Sequence, residues 1–404
     1  MFVNAATAAP AMTGGMQCDV IVVGAGPAGL AFARALEGSG LDVVLIERQP
    51  LERLKTPADD GRDIALTHRS VDALRRLGAW DHIDPAAVAP LRAAQVLDGA
   101  SPFALAFDPG PATTDALGRL VANHHIRRAL FAAVDGQPGP TILAGAEVAG
   151  LVTGKAGAAV TLRDGRTISA RLLVGADSRF SDVRARLGIK ARVDRLGRSM
   201  LLVRVAHERD HRGIATEWFD HGQTIALLPL AGRHSSVVLT LDEDEAARVA
   251  ARDPEALAAE LTRRSAGRLG TMTLAGTPRL CPLATVWSRD FTAPRAALIG
   301  DAAVGMHPVT AHGFNLGLRG AVALADLIQR ALRRGSDIAA PLLLARYEAG
   351  HRLAAGPLFT ATALIVRTFT DNRPAARIAR PALLRLAHRL PVVRAGITRM
   401  LMQR

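Results

Sequence analysis

Of its 404 residues the chain spends only two on cysteine, three on lysine and one on tyrosine. Cys18 and Cys281 make neither a CxxC pair nor an even framework, which excludes a disulfide-stapled secreted scaffold and fits a reducing cytoplasm. Because Lys55, Lys155 and Lys190 are the only lysines, arginine carries nearly all of the positive charge behind a formal net charge of +13. Such a balance suits an anionic surface. Aromatic residues make up 4% of the chain and interleave with no basic patch, so no nucleic-acid partner is expected. Long apolar runs are missing too: the best, 358–366, stops at Arg367, short of the ~20 residues that cross a bilayer. Residues 1–17 carry no charge, lack the basic start of a signal peptide and read as a disordered lead.

What the chain does have is apolar residues, 49% of the total, enough for a sizeable core and two intimately connected domains. Asp19-Val20-Ile21-Val22-Val23 is a short apolar run of the kind that forms a buried parallel strand. A glycine turn follows, then a helix over 30–36 closed by Gly38 and Gly40, then a second buried strand, Val43-Val44-Leu45-Ile46, ending in Glu47 and Arg48. Over 141–174 short alternating strands take over, with Asp164-Gly165 as a hairpin turn. Strand-like runs at 201–203, 224–228 and 237–239 predict a second sheet. The charged, Ala-rich stretch 243–268 predicts a solvated helix, and 314–334 a long one. Pro341, Pro374, Pro381 and Pro391 break the helical remainder.

Three motifs carry the chemistry. Gly24-Ala25-Gly26-Pro27-Ala28-Gly29 lies between a strand and a helix. Gly24 permits the tight turn, Gly26 lets backbone approach a pyrophosphate, Gly29 allows close packing of helix on strand, and the helix N-terminus adds partial positive charge. Glu47, 23 residues after Gly24, stands where a carboxylate accepts from ribose hydroxyls and repels a 2′-phosphate. Gly175-Ala176-Asp177, and Gly300-Asp301 leading into His307-Pro308, complete a set whose order points to FAD.

In that order the motifs resemble those of the FAD-dependent aromatic hydroxylases, single-component flavoprotein monooxygenases, over nearly the whole chain from Cys18 on. The run from His307-Pro308-Val309-Thr310 through Gly317-Leu318-Arg319 is similar to the signature of the ubiquinone-biosynthesis hydroxylases. The resemblance implies an α/β fold: a glutathione-reductase-like FAD-binding Rossmann-type domain, an interwoven β-sheet substrate domain and a helical C-terminal tail. The corresponding segments are 18–190 and 281–340 for the FAD-binding domain, 191–280 for the substrate sheet and 341–404 for the tail. It also implies that Asp301 contacts the flavin ribityl chain and that Pro308, with the backbone of Gly313, Phe314 and Asn315, lies against the isoalloxazine ring. By the same likeness Asp177 belongs to a pyrophosphate region, Arg62 approaches an FAD phosphate and Asn123 lies near the flavin. Amides at the start of a helix over 313–315 suit negative charge developing on a reduced ring. The implied reaction draws on NAD(P)H or another electron donor and on O₂. A flavin C4a-hydroperoxide then passes its distal oxygen to the ring of a polyprenylated phenol or quinol.

The chain departs from the family pattern at Ala311-His312, where a Gly-Gln pair is usual, at Gly320, where an acid is usual, and at Ser178, where glycine is. His312 is a candidate to take a phenol proton, since imidazole titrates near neutrality; packing at the helix start is the alternative. Trp218, Phe219, Leu227 and Pro229 are candidate walls of a lipophilic pocket for a quinone-type small molecule. From Arg373 onward, arginines without a single acid interleave with leucine and valine, the composition of basic amphipathic helices that lie on anionic lipid. That composition suits a peripheral place on the inner membrane face, with packing on the chain's own domain and a dimer contact as the alternatives, and a ubiquinone-biosynthesis complex is a partner that the resemblance implies. His207-Glu208-Arg209-Asp210-His211 spells the zinc pattern HExxH, but charges stand where a zinc helix buries apolar side chains, so it reads as a polar loop and no metal is expected. Hydroxylation of another small aromatic or secondary metabolite, reduction of isoprenoid double bonds, and a basic surface-binding flavoprotein remain alternatives. No W-x-W occurs among Trp80, Trp218 and Trp287, which argues against a halogenase.

Overall fold

Strand β1 (Met16–Val23) opens the computed structural model, which describes residues 15–370 except 100, 102, 109–115, 136–138, 221 and 311. The strand starts before the apolar run because Met16 and Gln17 pair with Ile168 and Ser169, so the lead expected to reach residue 17 gives way to structure earlier. Helix α1 (Pro27–Ala35) begins on a proline, whose fixed φ and missing N–H suit a first helical position, and buries Leu30, Ala31 and Phe32. Strands β2 (Val43–Glu47), β3 (Thr141–Ala144) and β4 (Thr167–Gly175) then build a parallel sheet in the order β4-β1-β2-β3, with Ala296–Leu298 beyond β4. Ile21, Val22, Val44, Leu45 and Leu173 are fully buried, as strands covered on both faces require. Ala158–Leu162 runs antiparallel to β4, the two joined across the Asp164-Gly165 turn.

The second sheet is largely antiparallel. It contains β5 (Ala191–His207), β6 (Ile214–Asp220), β7 (Gln223–Pro229), β8 (His234–Asp242) and β9 (Arg279–Ser288) in the order β9-β5-β8-β7-β6. Ala93–Asp98 extends it parallel to β6, and Ala104–Phe107 follows. Side chains alternate across such strands. One set, including Leu201, Val203, Ile225, Val237 and Leu239, forms a core with residues of helices α2 (Glu243–Ala250) and α3 (Pro254–Arg264). These are two helices where one was expected. Pro254 cannot continue a helix, and Asp253 caps the second by accepting from the Ala256 amide at 2.8 Å. Nor are they merely solvated, since Val249, Leu257 and Leu261 are buried.

Helix α4 (Gly313–Arg333) returns the chain to the first sheet and packs on α1. Helix α5 (Pro341–Thr370) starts at Pro341 rather than breaking there, and runs on through Pro357. The one tyrosine anchors it: buried Tyr347 donates from its hydroxyl to the Leu298 carbonyl at 2.8 Å. Pro374, Pro381, Pro391 and the arginine-rich segment from Arg373 lie outside the described residues. Among the described residues no helix is long and apolar enough to cross a membrane.

The glycine turn is closed to side chains. Gly24 has φ +105°, and a Cβ added at Gly29 would stand 2.0 Å from the Gly24 carbonyl oxygen. Gly29→Ala is therefore expected to push α1 off the sheet and cost about 1–3 kcal/mol. An unchanged urea midpoint for the apoprotein of that variant would contradict this packing.

Candidate active site

At the end of β2, Glu47 holds the glycine loop from below. Its Oε2 accepts from the Ala25 amide at 2.9 Å and its Oε1 from the Gln49 amide at 2.8 Å. Each carboxylate oxygen keeps a second lone pair, so Glu47 can both brace the loop and accept from a ribose. Arg48 beside it is exposed. The residues present fit a dinucleotide. A Cβ at Gly26 or at Gly313 would meet nothing within 4 Å, and neither α1 nor α4 has a side chain capping its N-terminal amides.

A second set of residues converges on Arg179, which sequence reasoning missed. Arg179 Nη2 donates to Asp301 Oδ2 at 3.0 Å, while its Nη1 donates to the Ala284 carbonyl of β9 at 2.6 Å. It also reaches the Met306 carbonyl just before His307. Arg184, itself buried, donates to the carbonyls of Arg179 and Ala302 at 3.1 and 2.9 Å and so fixes both segments. Asp177 is committed differently from the expectation. Both its oxygens serve the short helix Asp182–Arg186, accepting from Ser181 Oγ at 2.6 Å and the Val183 amide at 3.0 Å, although its backbone abuts Gly24. Ser178 has φ +93°, so a side chain occupies a conformation that glycine adopts freely. The departure at Gly320 has a packing cause: a Cβ there would come within 2.6 Å of the His351 ring.

Arg62 and Asn123 meet through Asp60, which takes Arg62 Nη2 at 2.5 Å and Asn123 Nδ2 at 2.7 Å. Burial opposes the Arg62 charge, but the Asp60 hydrogen bond and charge, joined by Asp301, raise its pKa above the ordinary value. Asn315 pins α4 to the strand Asp63–Leu66: its Oδ1 accepts from the Thr67 amide at 3.1 Å and its Nδ2 donates to the Ala65 carbonyl at 2.9 Å. Phe314 packs partly buried on the main core, and Pro308 opens a single 3₁₀ turn. His312 is buried immediately before α4 and makes no side-chain capping bond. His307 lies five residues before it. Burial first, then the charges of Arg179 and Arg198, push its pKa down to about 4, so it is neutral at pH 7.

The candidate pocket walls divide between the two faces of the second sheet. Trp218 and Leu227 belong to the core that includes α2 and α3, where the Trp218 indole donates to the Gly99 carbonyl at 2.9 Å and lies under the Arg268 guanidinium. Buried Pro229 shares the parity of Leu227. Only Phe219 points to the opposite face, the one shared with Met200 and Leu202. That face meets the Asp60–Arg62 loop: a Cβ on Gly61 would lie 3.4 Å from Leu202 Cβ and 3.2 Å from Arg279 Cγ. In the HExxH run, His207 bonds to Arg209 O and Ser235 Oγ, and His211 Nε2 to Leu230 O, so these nitrogens are engaged by the protein itself.

A parallel sheet with a glycine turn, a carboxylate-braced loop and a second sheet beside it defines an FAD-dependent oxidoreductase. The sequence model of the FAD binding domain matches residues 17–360, and the chain belongs to that family. It is 44% identical to the ubiquinone hydroxylase UbiM of Neisseria meningitidis, over 96% of this chain and 85% of that one. It is 37% identical to the ubiquinone hydroxylase UbiL of Rhodospirillum rubrum, over 90% and 84% of the two chains. Among solved structures, Pseudomonas aeruginosa PqsL in complex with 2-aminobenzoylacetate matches with a TM-score of 0.76 at 22% identity, covering 88% of this chain and 97% of that one, a likeness of fold.

Two outcomes test this geometry. Arg179→Met should leave Asp301 unheld and weaken FAD affinity about tenfold, roughly 1.4 kcal/mol, read by flavin titration of the apoprotein; wild-type affinity would contradict the assigned contact. Ser178→Gly should raise stability by about 1 kcal/mol in urea unfolding, since it removes a positive-φ side chain. A lower midpoint would show that the Ser178 hydroxyl is needed.

Proposed function

We propose that the protein is an FAD-dependent monooxygenase that hydroxylates the aromatic ring of a polyprenylated phenol or quinol in ubiquinone biosynthesis. The observation that carries this reading is the 44% identity, over nearly the full chain, to a relative named for ubiquinone hydroxylation. The apolar face of the second sheet against the Asp60–Arg62 loop supports it, because a greasy ring needs a dry wall beside the cofactor. Bound FAD supplies the redox chemistry, with NAD(P)H or another donor as reductant and O₂ as the oxygen source.

The chain's own residues bind, orient and exclude water. Gly26 and the start of α1 are assigned to the pyrophosphate, Glu47 to a ribose, and Arg62 with Asn123 to the side of the cofactor nearest Asp60. Asp301, gripped by Arg179, is assigned to the ribityl chain, and Pro308 with Gly313 to Asn315 to the flavin ring. Neutral His307 offers the site no charge, which keeps it apolar, while buried His312 is the group assigned to receive a ring hydroxyl proton.

The substrate reaches this site from a membrane surface. In α5, Leu342, Leu353 and Leu364 are 73%, 79% and 65% exposed and stand eleven residues apart, about three helical turns, so they share one face. Eight arginines and no acid follow from Arg373 to the end. Apolar side chains in the acyl boundary with arginines over anionic headgroups would hold the enzyme peripherally.

Incubating the holoenzyme with reductant, isotope-labelled dioxygen and a prenylated hydroquinone should give a product with one labelled oxygen on the ring. Reductant consumption that leaves the ring unlabelled would overturn the assignment.

A further inference from the structure

The exposed-to-cofactor face of the second sheet carries one carboxyl that nothing above uses. Cross-strand pairing places Glu217 of β6 in a row with Ala226, Val238 and Leu202 on one side and Val96 and Leu105 on the other. The apolar floor is continuous in both directions. Met200, Leu202 and Leu283 cluster toward β9, and Leu105, Phe107 and Leu117 cluster toward the opposite edge. Glu217 therefore sits in the middle of a greasy surface, on the side away from α2 and α3.

Most other charged groups facing that side have a partner. Arg204 is paired with Asp59 and Asp63, and Arg62 with Asp60. Arg198 donates to the Gly222 and Thr240 carbonyls and lies by Asp242. Asp98, next to Phe219, is engaged as well. Arg279 and Cys281 stand at the far end of the rows, on β9. Among the described residues exposed Arg279 at the edge has no partner, and in the interior of the face Glu217 has neither hydrogen bond nor ion pair, while burial pushes its pKa up to about 8. The residue is half-buried rather than sealed, so its carboxyl is weakly solvated yet open to a ligand. A ligand that is apolar over its ring and bears oxygen at the edge fits that setting.

The position also suits the cofactor loop. Arg198 ties the end of this face, at Gly222 and Thr240, and its charge together with that of Arg179 bears on His307. The row Phe219-Thr224-Thr240-Met200 thus runs toward the His307-Pro308 turn, with Glu217 one row further in. Resting on the function proposed above, we propose that Glu217 orients the aromatic ring of the substrate through a hydrogen bond to one of the ring's oxygen substituents.

The test uses FAD-loaded wild type, Glu217→Leu and Glu217→Gln, with a prenyl-free methoxy-methylhydroquinone as probe and the flavin absorption band as reporter. Glu217→Leu, with normal flavin content, should bind the probe about tenfold more weakly, the worth of one hydrogen bond. Glu217→Gln keeps donor and acceptor but cannot ionise. It should bind like wild type at pH 7 and lose the change in affinity that wild type shows as pH rises through about 8. A second readout needs no ligand. A raised carboxyl pKa means that stability falls as pH climbs from 4.5, where the unfolded group ionises, toward about 8, and both variants should lack that slope. Wild-type affinity in Glu217→Leu, a wild-type pH profile in Glu217→Gln, or an unchanged stability slope would each overturn the assignment. If wild type itself holds FAD yet neither binds nor hydroxylates the ring, the function proposed above is what fails.

Discussion

Arg179 joins parts of the chain that have little else in common. From the loop after β4 it grips Asp301 at the end of the parallel sheet, a carbonyl of β9 in the second sheet, and the Met306 carbonyl ahead of His307-Pro308. One guanidinium, with five donors in a rigid fork, suits this better than a lysine ammonium would. Because it is only partly exposed, its ties set where the two sheets stand relative to the turn that leads into α4. Asp301 and the His307-Pro308 turn inherit their positions from that arrangement.

The second consequence concerns polarity. A sheet with one face sealed by α2 and α3 must do something with the other. Here the other face is apolar in two clusters and turned toward a loop whose charges are paired, Asp60 with Arg62 and Asp59 with Arg204 of β5. Charges that are paired with one another leave the adjoining surface dry enough to favour an aromatic ring, and the lowered pKa of His307 records the same dryness.

Local chemistry was the legible part of the sequence. The βαβ unit, Glu47, the Asp164-Gly165 turn and the second sheet follow from short-range rules of periodicity and turn residues. Register is not local. Adjacent residues such as Trp218 and Phe219 must fall on opposite faces, but which face is covered depends on helices that begin 25 residues later. Hence Trp218, Leu227 and Pro229 belong to the sealed side, and Glu217 to the open one. Arg179 was invisible for a similar reason, since nothing in its neighbourhood points to a carboxylate 122 residues on. Within 243–268 the break lies at Pro254, a residue that opens a helix as readily as it ends one. The two departures at Ser178 and Gly320 become intelligible only with a backbone angle and a neighbouring ring in hand.

The account stands on a single FAD held between the glycine turn and Asp301, and equilibrium titration of apoprotein with FAD reads this most directly. Saturable binding of one flavin per chain, with AMP competing and riboflavin much weaker, is the predicted result because both ends of the dinucleotide are gripped. Failure to take up FAD, or equal affinity for riboflavin, would contradict it.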